Sequence, residues 1–244
     1  MSGTSYDGID VCAMSLNPEI KLLHFASYKY PKNLRKEIAK VIEHQTLSLQ
    51  KYGELDRQIG MAFASAINNF ILQRKIARSQ ICAVGLSGQT LWHYPQGNYP
   101  FSIQAGDAQV IAKTCKIDVV SDFRNDHIKL GGEGAPLVPE FHQQIFASTK
   151  QSRLILNIGG IANYSFLEKS KGFMGSDSGP GNALLDAYCQ KYLNRSFDKN
   201  GLLARKGLMH LSSLNQMLAH PFFKKRSNNF SRIFFGFLAC LPCL

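Results

Sequence analysis

The sequence predicts an α/β fold in two halves, and three observations carry that prediction. Segments with strand and helix patterns alternate along the chain. Leu55, Ile59, Phe63, Ile67 and Ile71 recur every four residues, the spacing of one apolar helix face. Small, polar, glycine-rich loops follow directly on apolar runs, which is where open α/β sheets bind their ligands.

In order, residues 9–15 alternate, with Ile9, Val11 and Ala13 on one face, and read as a strand. Residues 20–30 are rich in aliphatic and aromatic side chains and read as a second strand. The Leu55–Ile71 stripe places a helix over 54–74. Residues 81–86 form a short buried strand that runs into Ser87-Gly88-Gln89. Strands are predicted at 101–104 and 117–120, with a helix over 107–113 between them. A further buried strand covers 154–158 and ends in Gly159-Gly160. Leu184, Leu185, Tyr188 and Tyr192 set a helix over 181–193. The boundary between the halves is expected near residue 120.

Composition narrows the function. Hydrophobic residues are 45% and charged residues 18% of the 244, a balance that builds a core. No apolar run reaches the roughly 18 residues of a membrane span. Met1-Ser2-Gly3-Thr4-Ser5 has neither the basic nor the apolar region of a secretory signal. The net charge is +11, but the basic residues are scattered rather than interleaved with aromatics, so neither nucleic acid nor a membrane is an expected partner. Of six cysteines, Cys240 and Cys243 form a lone CxxC, short of the about four ligands a structural zinc needs. Cys12, Cys82 and Cys189 lie in apolar segments and read as buried free thiols, which suits a reducing cytoplasm.

Five polar loops carry the candidate chemistry. In Ser2-Gly3-Thr4-Ser5-Tyr6-Asp7-Gly8-Ile9-Asp10, glycine backbone and hydroxyls suit phosphate oxygens, and Asp7 suits Mg²⁺. An ordinary Asp-Gly turn accounts for it equally well. In the loop 85–93, Gln89 and Thr90 can hydrogen-bond sugar hydroxyls, Trp92 can stack on a ring or fill the core, and His93 reads as a loop hydrogen-bonder. Asp122 and Arg124, two apart at a strand end, lead into Gly131-Gly132-Glu133-Gly134, whose glycines allow a tight turn. Asn157-Ile158-Gly159-Gly160-Ile161-Ala162-Asn163 reads as a second phosphate hairpin. Asp177, before Gly179-Pro180-Gly181, is placed either as a general base or as a helix-entry cap, and the helix start beyond it favours anions. Two glycine hairpins and an isolated Asp fit a phosphoryl-transfer cleft better than five unrelated turns.

Taken in order, MSGTSYDGID, SGQTLWH, DFR…GGEGAPLVPEFH, LNIGGIAN, DSGPGNALLDAY and FDKNGLLARKG resemble the anhydro-N-acetylmuramic acid kinases, over residues 1 to about 223. That family is of the actin/hexokinase/Hsp70-like superfamily, so the resemblance implies two RNase H-like domains, 1–120 and a partial 121–223. It implies ATP and Mg²⁺ as cofactors, a cytoplasmic role in peptidoglycan recycling, and an anhydro-amino-sugar substrate; a homodimer is compatible with it. By motif, Asp177 would activate water. Gly3, Thr4, Ser5, Asp7, Gly8, Ile9 and Asp10, with Asn157, Gly159 and Gly160, would hold the nucleotide, and Asp7 the magnesium. Gln89, Thr90, Asp122, Arg124, Gly132 and Gly134 would shape the sugar pocket.

Departures accompany the match. Ser87, His127 and Glu133 stand where the family usually has His, Asp and Gln. The family pattern has an apolar strand before the first loop, and with Met1 already inside that loop the first domain is expected to lack its first strand. Beyond Phe223, residues 224–244 leave the family pattern and read as a frameshifted tail in place of a longer C-terminal part, with a short membrane-associating tail, too short to span, or a natural helix end as alternatives. The alternative function is therefore a truncated remnant without activity, or a ligand-binding module of the same fold.

Overall fold

The computed structural model describes residues 8–169 and 172–220, and these form a mixed α/β protein. The chain divides into two compact units, the first through Leu137 and the second from Val138, so the compactness boundary falls later than the expected residue 120. The segment after Asp122 is tied to the first unit by Asn125, whose side chain bonds the Ser102 N–H and carbonyl at 2.8 and 2.9 Å.

The first unit opens with a two-stranded antiparallel ribbon, β1 (Ile9–Ser15) and β2 (Lys21–Tyr28). Two helices follow, α1 (Lys32–His44) and α2 (Leu49–Arg74). Ser48 caps α2 by accepting from the Lys51 amide at 3.2 Å, filling one donor that a helix start leaves orphaned. The α2 stripe is the core of the unit: Leu55, Ile59, Phe63 and Ile67 are buried and pack with Ile9, Leu34, Ile38 and Ile111. Next come β3 (Val84–Gly85), β4 (Gln89–Tyr94), β5 (Phe101–Ala105), α3 (Ala108–Cys115), β6 (Val119–Val120) and α4 (Phe123–Lys129). The pair β4–β5 is antiparallel and β3–β6 is parallel.

Three strands differ from expectation. Those predicted over 81–86 and 117–120 are confined to Val84–Gly85 and Val119–Val120, the two residue pairs over which β3 and β6 are in register. Residues 89–94, expected within a loop, form β4, whose polar Gln89 and Thr90 are carried by pairing with β5.

The second unit has α5 (Val138–Phe146) against a three-stranded antiparallel sheet of β7 (Arg153–Ile158), β8 (Ile161–Leu167) and β9 (Phe173–Pro180). His142 of α5 and Ser165 of β8 meet at 2.9 Å. Helix α6 (Ala183–Leu193) and α7 (Leu211–Leu218) follow. Among the described residues no helix is long and apolar enough to cross a membrane.

Candidate functional site

In the first unit a cleft of about 260 Å³ opens where α2, the β5–α3 turn and the ends of β3 and β6 meet, lined by Tyr52, Asp56, Ser87, Gln104, Asp107 and Asp122. Two glycines build it. A Cβ on Gly60 would stand 2.9 Å from the Asp107 carbonyl oxygen, so α2 and the entry to α3 touch backbone to backbone. Gly106 has φ +126°, and a Cβ on it would stand 2.7 Å from the Phe63 ring, a conformation and a gap that only glycine fills. The turn so placed gives its Gly106 amide to Asp56 Oδ1 at 2.6 Å, and Asp107 caps α3 by accepting from the amides of Gln109 and Val110. Burial pushes the Asp56 carboxyl above its usual range, opposed by the Gly106 hydrogen bond and reinforced by Asp107. Burial also raises Tyr52, one helical turn before Asp56 on the same face, and the Asp56 charge adds to it.

Asp122 stands at the cleft with φ +67°, an uncommon backbone state that Asp tolerates better than most residues. Asn125 holds it there. The Asn125 amide donates to Asp122 Oδ1 at 2.6 Å and to the Ser102 carbonyl at 2.9 Å, while its own oxygen accepts from the Ser102 N–H at 2.8 Å. Asn125 thus pairs with the outer edge of β5 as a neighbouring strand would.

The remaining sugar-pocket candidates divide. Thr90 joins the network by donating to Gln104 Oε1 at 3.0 Å. Gln89 is completely buried, with its oxygen accepting from the Tyr30 hydroxyl at 3.3 Å. Arg124 grips the loop through Gly134, and burial lowers its pKa. Gly132 lies against the His127 ring, and the Gly134 amide donates to His127 Nδ1 at 3.1 Å. His127 therefore supports the glycine turn. Trp92 is not a core residue: it is half exposed and tilted against Phe101 at 6.1 Å. His93 meets Ser102 Oγ at 3.0 Å, as a loop hydrogen-bonder was expected to do, but from β4.

In the second unit, cross-strand pairing sets Asn157 opposite Asn163 and Asn163 opposite Asp177. Directly paired residues share a sheet face, so these three polar side chains form one row across β7, β8 and β9. A bulge between Ala162 and Asn163 leaves Ser178 unpaired, and Ser178 Oγ pins it by donating to the Ala162 carbonyl at 3.0 Å. Bulges re-aim neighbouring side chains, and Asp177 is exposed. Asp177 lies within β9 and the N-cap of α6 is Asn182, so the helix-cap reading of Asp177 fails. The turn at Gly159-Gly160 is clamped to that helix entry: the amides of Gly181, Asn182 and Ala183 donate to the Gly160 and Gly159 carbonyls at 2.8–3.1 Å. Those three amides are spent on the hairpin and not on an anion.

Of the first loop, Gly3, Thr4, Ser5 and Asp7 lie outside the described residues. Gly8 leads into β1 beside the Tyr28 carbonyl. The Ile9 side chain is in the core, and Asp10 accepts from Ser27 Oγ. The thiol reading is corrected at two positions: Cys12 and Cys82 are exposed, while Cys115 and Cys189 are buried. Cys12 sits on the outer face of the β1–β2 ribbon opposite exposed Phe25, and Cys82 lies on the approach to β3. Sequence reasoning missed Tyr52, Asp56 and Asn125. Neither Tyr52 nor Asp56 stood out, since they lie among Gln50, Lys51, Glu54, Arg57 and Gln58 in the polar first half of α2, and Asn125 had no signal, since its partners are backbone groups of a distant strand.

Fold and site together define a mixed α/β protein with its polar, glycine-rich loops gathered at strand ends. Residues 1–231 match the family model of anhydro-N-acetylmuramic acid kinase. Proteins of that name from Gamma-proteobacterium EBAC31A08, Shewanella oneidensis and Vibrio vulnificus strain YJ016 are 48%, 44% and 42% identical to the chain. The aligned regions cover 93%, 91% and 91% of this chain and 62%, 61% and 60% of those relatives. The chain belongs to the anhydro-N-acetylmuramic acid kinase family, and it spans about three-fifths of the length of these relatives.

Proposed function

We propose that the chain carries the sugar- and phosphate-facing part of an ATP-dependent kinase acting on 1,6-anhydro-N-acetylmuramic acid, built on two RNase H-like units. Family membership supports the substrate class, and the observation that carries the mechanism is the cross-strand row Asn157, Asn163 and Asp177, exposed at Asn157 and Asp177, with the carboxylate beside the Ser178 bulge.

In this reading Asp177 takes a proton from water as the oxygen adds to the anomeric carbon. The bond from that carbon to O6 breaks, and O6 takes up the γ-phosphoryl group as the β–γ bridging P–O bond breaks. The products are N-acetylmuramic acid 6-phosphate and ADP, and Asp177 returns its proton to solvent. Such a transfer needs chiefly positioning and charge neutralisation. The glycine hairpin at 159–160 suits a phosphate approach because its exposed tip carries no side chain and its position is fixed by the clamp to α6. Magnesium would be held by Asp7 together with phosphate oxygens, and supplies charge neutralisation when bound. Among the described residues no three His, Cys, Asp or Glu side chains converge on a metal position, and a phosphate-borne magnesium asks for only one or two carboxylates. Asp122, Arg124, Thr90 and the Gly132–Gly134 turn shape the sugar side, with Gln89 supporting from beneath.

The test is ADP release by the purified chain with ATP, Mg²⁺ and the anhydro-sugar, beside Asp177→Asn. Sugar-dependent release that falls at least a hundredfold in the variant supports the assignment, since general-base catalysis contributes about 10²–10⁴-fold. Release that is equal in both removes Asp177 from the mechanism. Folded chain that binds the sugar and releases no ADP favours the ligand-binding alternative.

A further inference from the structure

We propose that His127 is a positioning residue that holds the glycine turn of the first unit only while its imidazole is neutral, so that acid releases the turn. The inference rests on the kinase reading for the ligand that feels the release, and on the turn alone for the rest.

Gly134 is buried and has φ +71°, and α4 holds both of its backbone groups. Arg124 Nη1 donates to its carbonyl at 3.0 Å, and its amide donates to His127 Nδ1 at 3.1 Å. The second bond fixes the tautomer: an amide can only donate, so Nδ1 is bare and the ring proton sits on Nε2. The other side of the turn closes on the same residue. The Gly132 amide donates to the His127 carbonyl at 2.9 Å, and a Cβ on Gly132 would overlap the imidazole. Ring and turn are therefore packed together, and the ring is confined to the position in which Nδ1 meets the Gly134 amide.

The two bonds on Gly134 answer differently to pH. A guanidinium keeps its protons at every pH a protein meets, whereas imidazole changes charge near neutrality. Once protonated, Nδ1 is a donor facing a donor, and the buried Gly134 amide loses its acceptor. The held turn thus binds one proton fewer than the released turn, so falling pH favours release. The charged groups around the ring come from two elements. On α4, Asp122 and Asp126 favour the imidazolium while Arg124 and Lys129 oppose it; on the turn, Glu133 favours it. Lys129 stands 3.0 Å from Asp126 and 3.9 Å from Asp122. Strand β5, bonded to α4 through Asn125, has no titratable side chain, and β4 brings His93, which meets Ser102 Oγ. In the kinase reading the turn lies on the sugar side, so sugar affinity is expected to fall with pH.

An amide NMR titration of the full chain between about pH 7.5 and pH 5.5, which spans the ordinary histidine range, tests this with and without 1,6-anhydro-N-acetylmuramic acid. The lactyl carboxylate of that sugar stays ionised throughout the window, so the probe itself does not change. The Gly134 amide proton is expected to shift with the same midpoint as the His127 ring, and the sugar to bind about tenfold more weakly at the acid end. In His127→Asn the side-chain oxygen takes the place of Nδ1 and does not titrate. That variant is expected to bind within twofold of the parent at the upper pH and to lose nothing in acid. His127→Leu, with no acceptor, is expected to bind weakly at both ends. A Gly134 amide that ignores the His127 titration, or an Asn variant that weakens in acid as the parent does, would overturn the proposal. The two readings fail separately. A Gly134 amide that follows His127 in a chain that releases no ADP defeats the kinase reading and keeps the switch; sugar-dependent turnover with the Gly134 amide unmoved does the reverse.

Discussion

Replacing Asn125 removes one small side chain and strands several groups at once. Its amide satisfies both the N–H and the C=O of Ser102, a residue only 4% exposed, and it also holds Asp122 at a positive φ. Asn125→Ala leaves two buried backbone groups without partners, at about 1–3 kcal/mol each. The expected loss is therefore about 2–6 kcal/mol, a large part of a typical domain's 5–15 kcal/mol. Asn125→Asp separates the terms. It keeps an acceptor for the Ser102 N–H, gives up the donor to Ser102 C=O, and brings a second carboxylate against Asp122. Like charges so close raise the pKa of the pair in the folded state. Stability so linked is present below the unfolded carboxylate values and is lost as pH rises through the folded ones. The variant is thus expected to lie nearer the parent at pH 3.5 than at pH 7. Urea unfolding at both pH values reads this directly. A loss below about 0.5 kcal/mol in Asn125→Ala, the range of an inconsequential surface change, would refute the claim that this side chain closes the edge of β5.

Two further outcomes follow from the same geometry. In Gly181→Ala the new methyl overlaps the Gly159 carbonyl, so the hairpin must lift from α6; an overpacking cost of about 1–3 kcal/mol and a drop in ADP release beyond the stability effect are expected, checked by denaturation beside the kinase assay. Burial raises the Asp56 carboxyl, so its contribution to stability is full below the ordinary Asp value of 3.8 and is lost as pH rises through the folded value; Asp56→Asn is expected to be more stable than the parent at pH 7 and not at pH 3, by thermal unfolding at each.

What the sequence disclosed tracks how local the cause was. Strands β1, β2 and β7 and helix α2 follow from periodicity that their own residues carry; the strands lie where expected, while α2 starts at Leu49, five residues before the expected 54. Helix α1 was legible in principle, since Pro31 precedes Leu34 and Ile38 at helical spacing and both are buried. Strand β9 was not: Gly175, Ser176, Asp177, Ser178 and Gly179 are poor strand formers by propensity, and pairing with β8 overrides that. The same holds at the candidate site. Asp122 and Asp177 could be singled out because each stands by a glycine-rich loop. Asp56 sits in mid-helix, and acquires its meaning only because Gly60 and Gly106 let the β5–α3 turn descend onto it.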